Sequence, residues 1–216
     1  MTAAPAPGPP GPSGPAPAWL RELAAAAGTM EVPPLLVPPA AGGRASAVLV
    51  LFGDGPRGPD LLLIQRSEGL RLHAGQPAFP GGAIDAADDG PVAAALREAA
   101  EEVGLDPRGV DVIGALPEVF IPRTGFRVVP VLAWWREPSA VAPVDAGEVA
   151  AVERVSLAEL ADPAARLMAR GPGGRISPAF RVRGMLIWGF TAALVDRLLA
   201  LAGWEEPWDV TAVTDL

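Results

Sequence analysis

Cysteine and lysine are both missing from this chain of 216 residues, and histidine occurs once, as His73. Without cysteine there is no disulfide framework, no thiolate zinc site, no iron–sulfur cluster and no thiol nucleophile. Any metal is then held by oxygen or by His73. Without lysine there is no Schiff base and no phosphate-loop lysine, and all 17 basic residues are arginine. Long hydrophobic runs are missing too. The longest, Met185 to Val195, stops at Asp196 and Arg197, well short of the ~20 residues that cross a bilayer. The first 17 residues have neither the basic nor the apolar segment of a secretory signal. These absences predict a cytoplasmic protein with no membrane partner. Positive charge is in deficit, with a formal net charge of -8, which argues against a nucleic-acid groove, since such grooves draw affinity from cations on phosphates.

What is present suffices for one domain: half of the residues are hydrophobic, enough to build a core at this length. Residues 1–17 carry seven prolines and three glycines and read as a disordered or polyproline-like tail. Residues 18–44 follow as a helix, Trp19 to Ala27, and a proline-rich extended linker. The main domain is predicted over 45–204, with 205–216 as a C-terminal tail. Ala45 to Phe52 and Leu61 to Gln65 read as strands of a hairpin around a Gly/Pro-rich turn. Pro91 to Val103 reads as a helix, with Asp89 as cap candidate, Pro91 in the first turn and Gly104 as its stop. Further strands are predicted at Val110 to Ala115, Val128 to Trp134 and Val149 to Val155, a short helix from Leu157, and a long helix from Met185 to Ala202. This mixed order predicts an α/β or α+β sandwich.

The chemistry concentrates in Arg97-Glu98-Ala99-Ala100-Glu101-Glu102-Val103-Gly104-Leu105. Residues three and four apart on a helix share a face, so Glu98, Glu101 and Glu102 gather along one edge while Leu96, Ala99, Ala100 and Val103 serve the core. Crowded carboxylates repel, and a hard divalent cation, Mg²⁺ or Mn²⁺, is their natural counter-charge; a solvated acidic face is the plainer reading. Gly81-Gly82, fifteen residues before Arg97, allows close backbone approach to a metal or phosphate. Arg66, Arg71 and His73, just upstream, are donors of the type a phosphorylated nucleotide requires.

Gly82 to Leu105 resembles the Nudix box, the loop–helix signature of hydrolases that cleave nucleoside diphosphates linked to another moiety. Its second half agrees at every specified position, while its first half is one residue longer and has Asp89 where the box has Glu. That lengthening is shared by one Nudix subgroup, the coenzyme A diphosphatases. The subgroup's further motifs are similar to Arg66-Ser67, Leu70 to Gln76, Phe79 to Gly82 with Asp85 and Asp88, and Ile187 to Ala192; Glu148-Val149 before Val155-Ser156-Leu157 resembles another of its segments. The resemblance covers about residues 45–200.

It implies the Nudix fold, a mixed β-sheet sandwiched between α-helices, and a metal-dependent diphosphatase that turns coenzyme A or acyl-CoA into 3′,5′-ADP and (acyl-)4′-phosphopantetheine. It places Glu98 and Glu102 as principal metal ligands with the Gly82 carbonyl nearby, and Glu101 as a further ligand or the group that orients the attacking water. Arg97 is read as the residue that pairs with and orients a helix glutamate. Glu148 is a second candidate for general base. Arg66, Arg71, His73, Gln76 and Arg123 are the candidate substrate ligands, with Gln76 at a position where many subgroup members carry Glu. Trp188 is assigned to the core, and one of Trp134 and Trp135 to solvent or to an adenine. The partner is a small molecule, with a homodimer left open. Two alternatives stand beside this reading: a Nudix hydrolase of another nucleoside diphosphate derivative such as ADP-ribose, NADH or a nucleoside triphosphate, and a non-catalytic Nudix-like binding module.

Overall fold

The structure, a computed structural model, describes residues 14–70, 73–171 and 173–216. Its centre is a pair of long strands, β1 (Arg44–Gly55) and β7 (Phe126–Trp135), which run parallel in register from Arg44 opposite Phe126 to Phe52 opposite Trp134. Side chains alternate across a strand, and here both sets are apolar. Val50, Phe52, Leu132 and Trp134 enter one core, while Leu49, Leu51, Val131 and Trp135 enter the other. Only a sheet covered on both faces accommodates that pattern.

Around this pair the chain adds β2 (Gly58–Arg66), antiparallel to β1, and β5 (Val110–Ala115), antiparallel to β7. The short β3 (Pro77–Ala78) and the long β8 (Val149–Ser156) pair with β2, β4 (Gly81–Ala83) with β1, and β6 (Val119–Ile121) with β7. One face is covered by α2 (Gly90–Val103), through Ala94, Ala95, Ala99 and Val103. The other is covered by α1 (Ala18–Gly28) and α4 (Gly189–Leu201), through Leu20, Leu23, Val195 and Leu198. The result is a mixed α+β sandwich, the class that the element order predicts.

Four strands of a second sheet were not foreseen: β9 (Arg166–Arg170), β10 (Ile176–Val182), β11 (Met185–Ile187) and β12 (Val213–Asp215), preceded by the short helix α3 (Leu157–Ala161). β9 carries two arginines, and Pro178 interrupts β10, so neither shows strand periodicity. The long helix expected from Met185 to Ala202 is corrected. Met185–Ile187 is strand, Trp188 is extended, and the helix opens only at Gly189, whose φ of 67° breaks the run. Both Trp134 and Trp135 are buried, so neither faces solvent or waits for an adenine.

The ends also depart from expectation. The Gly14 carbonyl accepts a 2.8 Å bond from Trp134 Nε1, and Ala16 is buried in the core, so the folded part starts before residue 18. The proposed disordered tail otherwise falls on residues 1–13, outside the described residues. Residues 205–216, expected as a tail, return to the fold: β12 pairs with β9, and the buried Arg166 meets Glu205 at 3.1 Å and lies 4.6 Å from the Trp208 ring. Among the described residues no helix is long and apolar enough to cross a membrane.

Candidate active site

Helix α2 is bounded by glycines. Pro91 stands in its first turn, and Gly104 closes it at φ 70° with its N–H donating to the Ala99 and Ala100 carbonyls. Asp89, the cap candidate, makes no side-chain cap. The buried alanines of the inner face let the helix lie close to the sheet, and this draws Glu102 in with them to 7% exposure.

Glu102 is the most desolvated carboxylate of the cluster. Its Oε2 accepts from the Gly81 N–H at 2.9 Å, and Arg66 Nη1 stands 3.6 Å from Oε1, near enough to attract but too far to hydrogen-bond. Burial dominates, pushing its carboxyl up to about 7; the Gly81 amide and Arg66 oppose the shift, and the charges of Glu98 and Glu148 add to it. Glu98 is raised in the same direction, again chiefly by burial, with Arg97 opposing. The absence of a side chain at Gly82 is required: a Cβ there would stand 2.5 Å from each Glu98 carboxylate oxygen.

Arg97 is the hub. Its Nε and Nη2 each reach one oxygen of Asp88 at 2.9 Å, Nη2 also donates to the Ala83 carbonyl at 3.0 Å, and Nη1 donates to Glu98 at 3.1 Å and Glu101 at 2.9 Å. The planar guanidinium thus ties β4, the loop and two helix glutamates into one body. Its strongest partner, Asp88, was absent from the predicted site. The signal was the Asp85/Asp88 pair, with the lengthened loop presenting residue 88 rather than 89 to Arg97. The Arg97 bonds, with a further one from the Asp85 N–H, hold the Asp88 carboxyl below the usual range.

The remaining candidates divide. Arg66 reaches Glu102, and its buried Nε has no partner. Glu148 is exposed on the loop before β8, where its carbonyl accepts from the Ser67 N–H at 2.9 Å, and its charge is felt at Glu102. His73 and Gln76 bind each other, Nδ1 to Oε1 at 2.8 Å, with His73 at a left-handed φ of 58°. Arg123 stands in the exposed turn between β6 and β7 and makes no ion pair among the described residues. Arg71 lies outside the described residues. Trp188, assigned to the core, is only half-buried.

Among the described residues no three acidic or histidine groups stand together as a ready ligand set; Glu101 and Glu98 turn to Arg97 and Glu102 to Gly81. The donors nevertheless fit a hard divalent cation. They are carboxylate oxygens, and Glu102 is a buried carboxylate without a hydrogen-bonded cationic partner.

Residues 43–176 match the NUDIX domain. The chain is 44% identical over 172 residues to the uncharacterized Nudix hydrolase NudL of Cronobacter sakazakii, covering 76% of this chain and 85% of that protein. It is 42% identical over 168 residues to the NudL of Klebsiella pneumoniae, covering 74% and 83%. Among solved structures, RenU, a Nudix hydrolase from M. smegmatis, aligns with a TM-score of 0.54 and 24% identity over 78% of this chain and 91% of its own, a likeness of fold. On the domain match and on these relatives, the chain belongs to the Nudix hydrolase family.

Proposed function

We propose that the protein is a metal-dependent diphosphatase acting on coenzyme A or acyl-CoA, with 3′,5′-ADP and (acyl-)4′-phosphopantetheine as products. The observation that carries this reading is where Arg66 sits. The segment that resembles the coenzyme A subgroup folds so that Arg66 reaches the buried Glu102, while its own N–H donates to the Gln76 carbonyl at 3.1 Å. The subgroup motif and the hydrolytic cluster thereby form one surface.

Each residue then has a task. Glu98 and Glu102 are the carboxylates that would hold a divalent cation, with Glu101 and the Gly82 carbonyl beside them; when bound, such a cation neutralises diphosphate oxygens and makes water more acidic. Arg97 fixes Glu98 and Glu101 in place, itself clamped by Asp88. Arg66, partly exposed and held to Glu102 by charge without a hydrogen bond, offers its guanidinium to a phosphate oxygen. Glu148, exposed and in no ion pair among the described residues, has an oxygen free to take the proton of water, whereas Glu101 is engaged by Arg97. Water is the nucleophile, since the site offers carboxylates and no activated serine, cysteine or lysine. The cytoplasm, where the substrate class is found, is the proposed compartment.

The test is incubation with coenzyme A, ADP-ribose, NADH and dATP, with Mg²⁺, with Mn²⁺ and with chelator, and identification of products by mass. The expected result is 3′,5′-ADP from coenzyme A, lost with chelator. Cleavage of another nucleotide instead transfers the same chemistry to another substrate, and no cleavage of any overturns the enzyme reading in favour of a binding module.

A further inference from the structure

The Glu148 side chain is exposed, yet the main chain that carries it is held on both sides. Upstream, the loop between β7 and β8 runs along the end of α2: the Ala142 N–H donates to the Val103 carbonyl and the Val144 N–H to the Glu102 carbonyl, each at 3.1 Å. Carbonyls in the last turn of a helix have no partner within it, and the loop supplies one. Downstream, the Glu148 carbonyl accepts from the N–H of Ser67, the residue after Arg66, and the next residue, Val149, is fully buried in the core under α2. Between Val144 and Glu148 the chain turns tightly, and one residue makes the turn. The Asp145 carbonyl accepts from the Glu148 N–H at 3.0 Å and from the Val149 N–H at 2.9 Å, while Asp145 Oδ1 accepts from the Gly147 N–H at 2.7 Å. An Asp oxygen closing on the amide two residues on is a favoured device for turns. Gly147 suits it, since a Cβ there would stand 3.1 Å from Asp145 Oδ1.

Asp145 thus gathers three successive amides, Gly147, Glu148 and Val149, and with them sets the direction in which the Glu148 side chain leaves the main chain. The result is a tie between two carboxylates on different elements. The main chain of Glu102 is bonded to Val144, Asp145 follows, and Asp145 is bonded to the main chain of Glu148; the charge of Glu148 in turn reaches the Glu102 carboxyl. A group that takes a proton from water must stand within hydrogen-bond reach of it, and a displacement of about 1 Å forfeits much of the rate. We infer that Asp145 is a positioning residue for the hydrolysis, its carboxylate locking the turn that aims Glu148 toward Glu102 and the attacking water. Asp145 itself touches no reacting atom. The inference rests on the reading of Glu148 as general base and deepens it.

Steady-state kinetics of the full chain test it, on the nucleotide that the substrate panel shows to be cleaved, beside amide hydrogen exchange of the loop in the metal-free protein. Asp145 is exposed, so its variants are expected to keep the core intact. Asp145→Ala is expected to lower kcat about tenfold, with KM changed less than about twofold, and to speed exchange of the Gly147 and Glu148 amides. Asp145→Asn keeps an oxygen for the Gly147 N–H and is expected to match the unaltered protein in both respects. Because the effect runs through Glu148, adding Asp145→Ala to Glu148→Gln is expected to lower kcat no further. If no nucleotide is cleaved, or if Glu148→Gln alone retains kcat, the reading of Glu148 as general base fails and takes this inference with it. If Glu148→Gln loses turnover but Asp145→Ala does not, if Asp145→Asn is as slow as Asp145→Ala, or if Asp145→Ala costs the same factor with Glu148→Gln as without it, the positioning role alone is overturned.

Discussion

Glu102 shows how position on a helix becomes chemistry. The same spacing that sends Ala95, Ala99 and Val103 into the core carries this carboxylate to the core's margin, where burial lifts its carboxyl to about 7 and makes its charge costly without a cation. Glu102→Gln is expected to lower kcat by about a hundredfold or more, as loss of a charged metal ligand does. Its melting temperature should stay within a few degrees, because the amide oxygen still accepts from Gly81 and the desolvated charge is gone. Turnover and thermal melts of the same preparation decide it, and retained turnover would remove Glu102 from the ligand set. Arg97 acts at the same scale by different means: five bonds from one guanidinium hold Glu98 and Glu101 to Asp88 and the Ala83 carbonyl, while Glu102 turns to Gly81.

At the scale of elements, α3 gives a measurable link to pH. Ser156 and Glu159 form a capping box at its start, and Arg183 donates to both Glu159 oxygens. The Arg183 bonds, with those from Ser156, lower the Glu159 carboxyl from 4.5 to about 2. A carboxyl depressed on folding contributes stability that is complete above its unfolded value and fades as pH falls through its folded one. The contribution is therefore lost between about pH 4.5 and 2, and for a partly exposed pair it amounts to about 1 kcal/mol. Glu159→Gln is expected to reduce stability near pH 7 by that amount and to lie closer to the unaltered protein at pH 3, read from denaturant melts at both pH values. The elements also show what a sequence discloses. α2, the β1–β2 hairpin, β5 and β7 were legible because apolar periodicity, glycine stops and proline positions agree there. β10 and β11 were not, because Pro178 breaks one and the other was hidden inside an apolar run continuous with α4. In the site, the helix carboxylates and Arg97 were legible from spacing. Asp88 entered only as part of the resemblance and was given no role, because its bonds to Arg97 depend on a loop conformation that no periodicity encodes.

For the whole molecule, the N-terminal helix does more than precede the domain. Leu20 and Leu23 are buried against α4 and the sheet, Trp19 packs edge-on to Phe52, Trp134 and Trp204, and the Gly14 carbonyl caps the Trp134 indole. Deleting residues 1–13, whose composition has little to bury, is expected to leave the melting temperature unchanged. Deleting residues 1–17 removes the partner of Trp134 Nε1 and the buried Ala16, and is expected to lower it by several degrees, as the loss of about 1–2 kcal/mol does in a domain of this size. Differential scanning calorimetry of the two truncations separates them, and equal melting temperatures would mean that the Gly14 contact is not held in solution.

The parallel pairing of β1 with β7 imposes an order of events on the birth of the protein. Arg44 meets Phe126 only after every intervening residue has been synthesised, and that interval contains β4, the whole of α2 and the hydrolytic cluster. Closing so long a loop is entropically slow, and until it closes, β1, the strand to which Gly81 and Gly82 are bonded, has its β7 edge open. A nascent chain halted at residue 120 thus holds the complete signature of its family and no site, and on the ribosome competence for hydrolysis should arrive abruptly, once β7 has emerged.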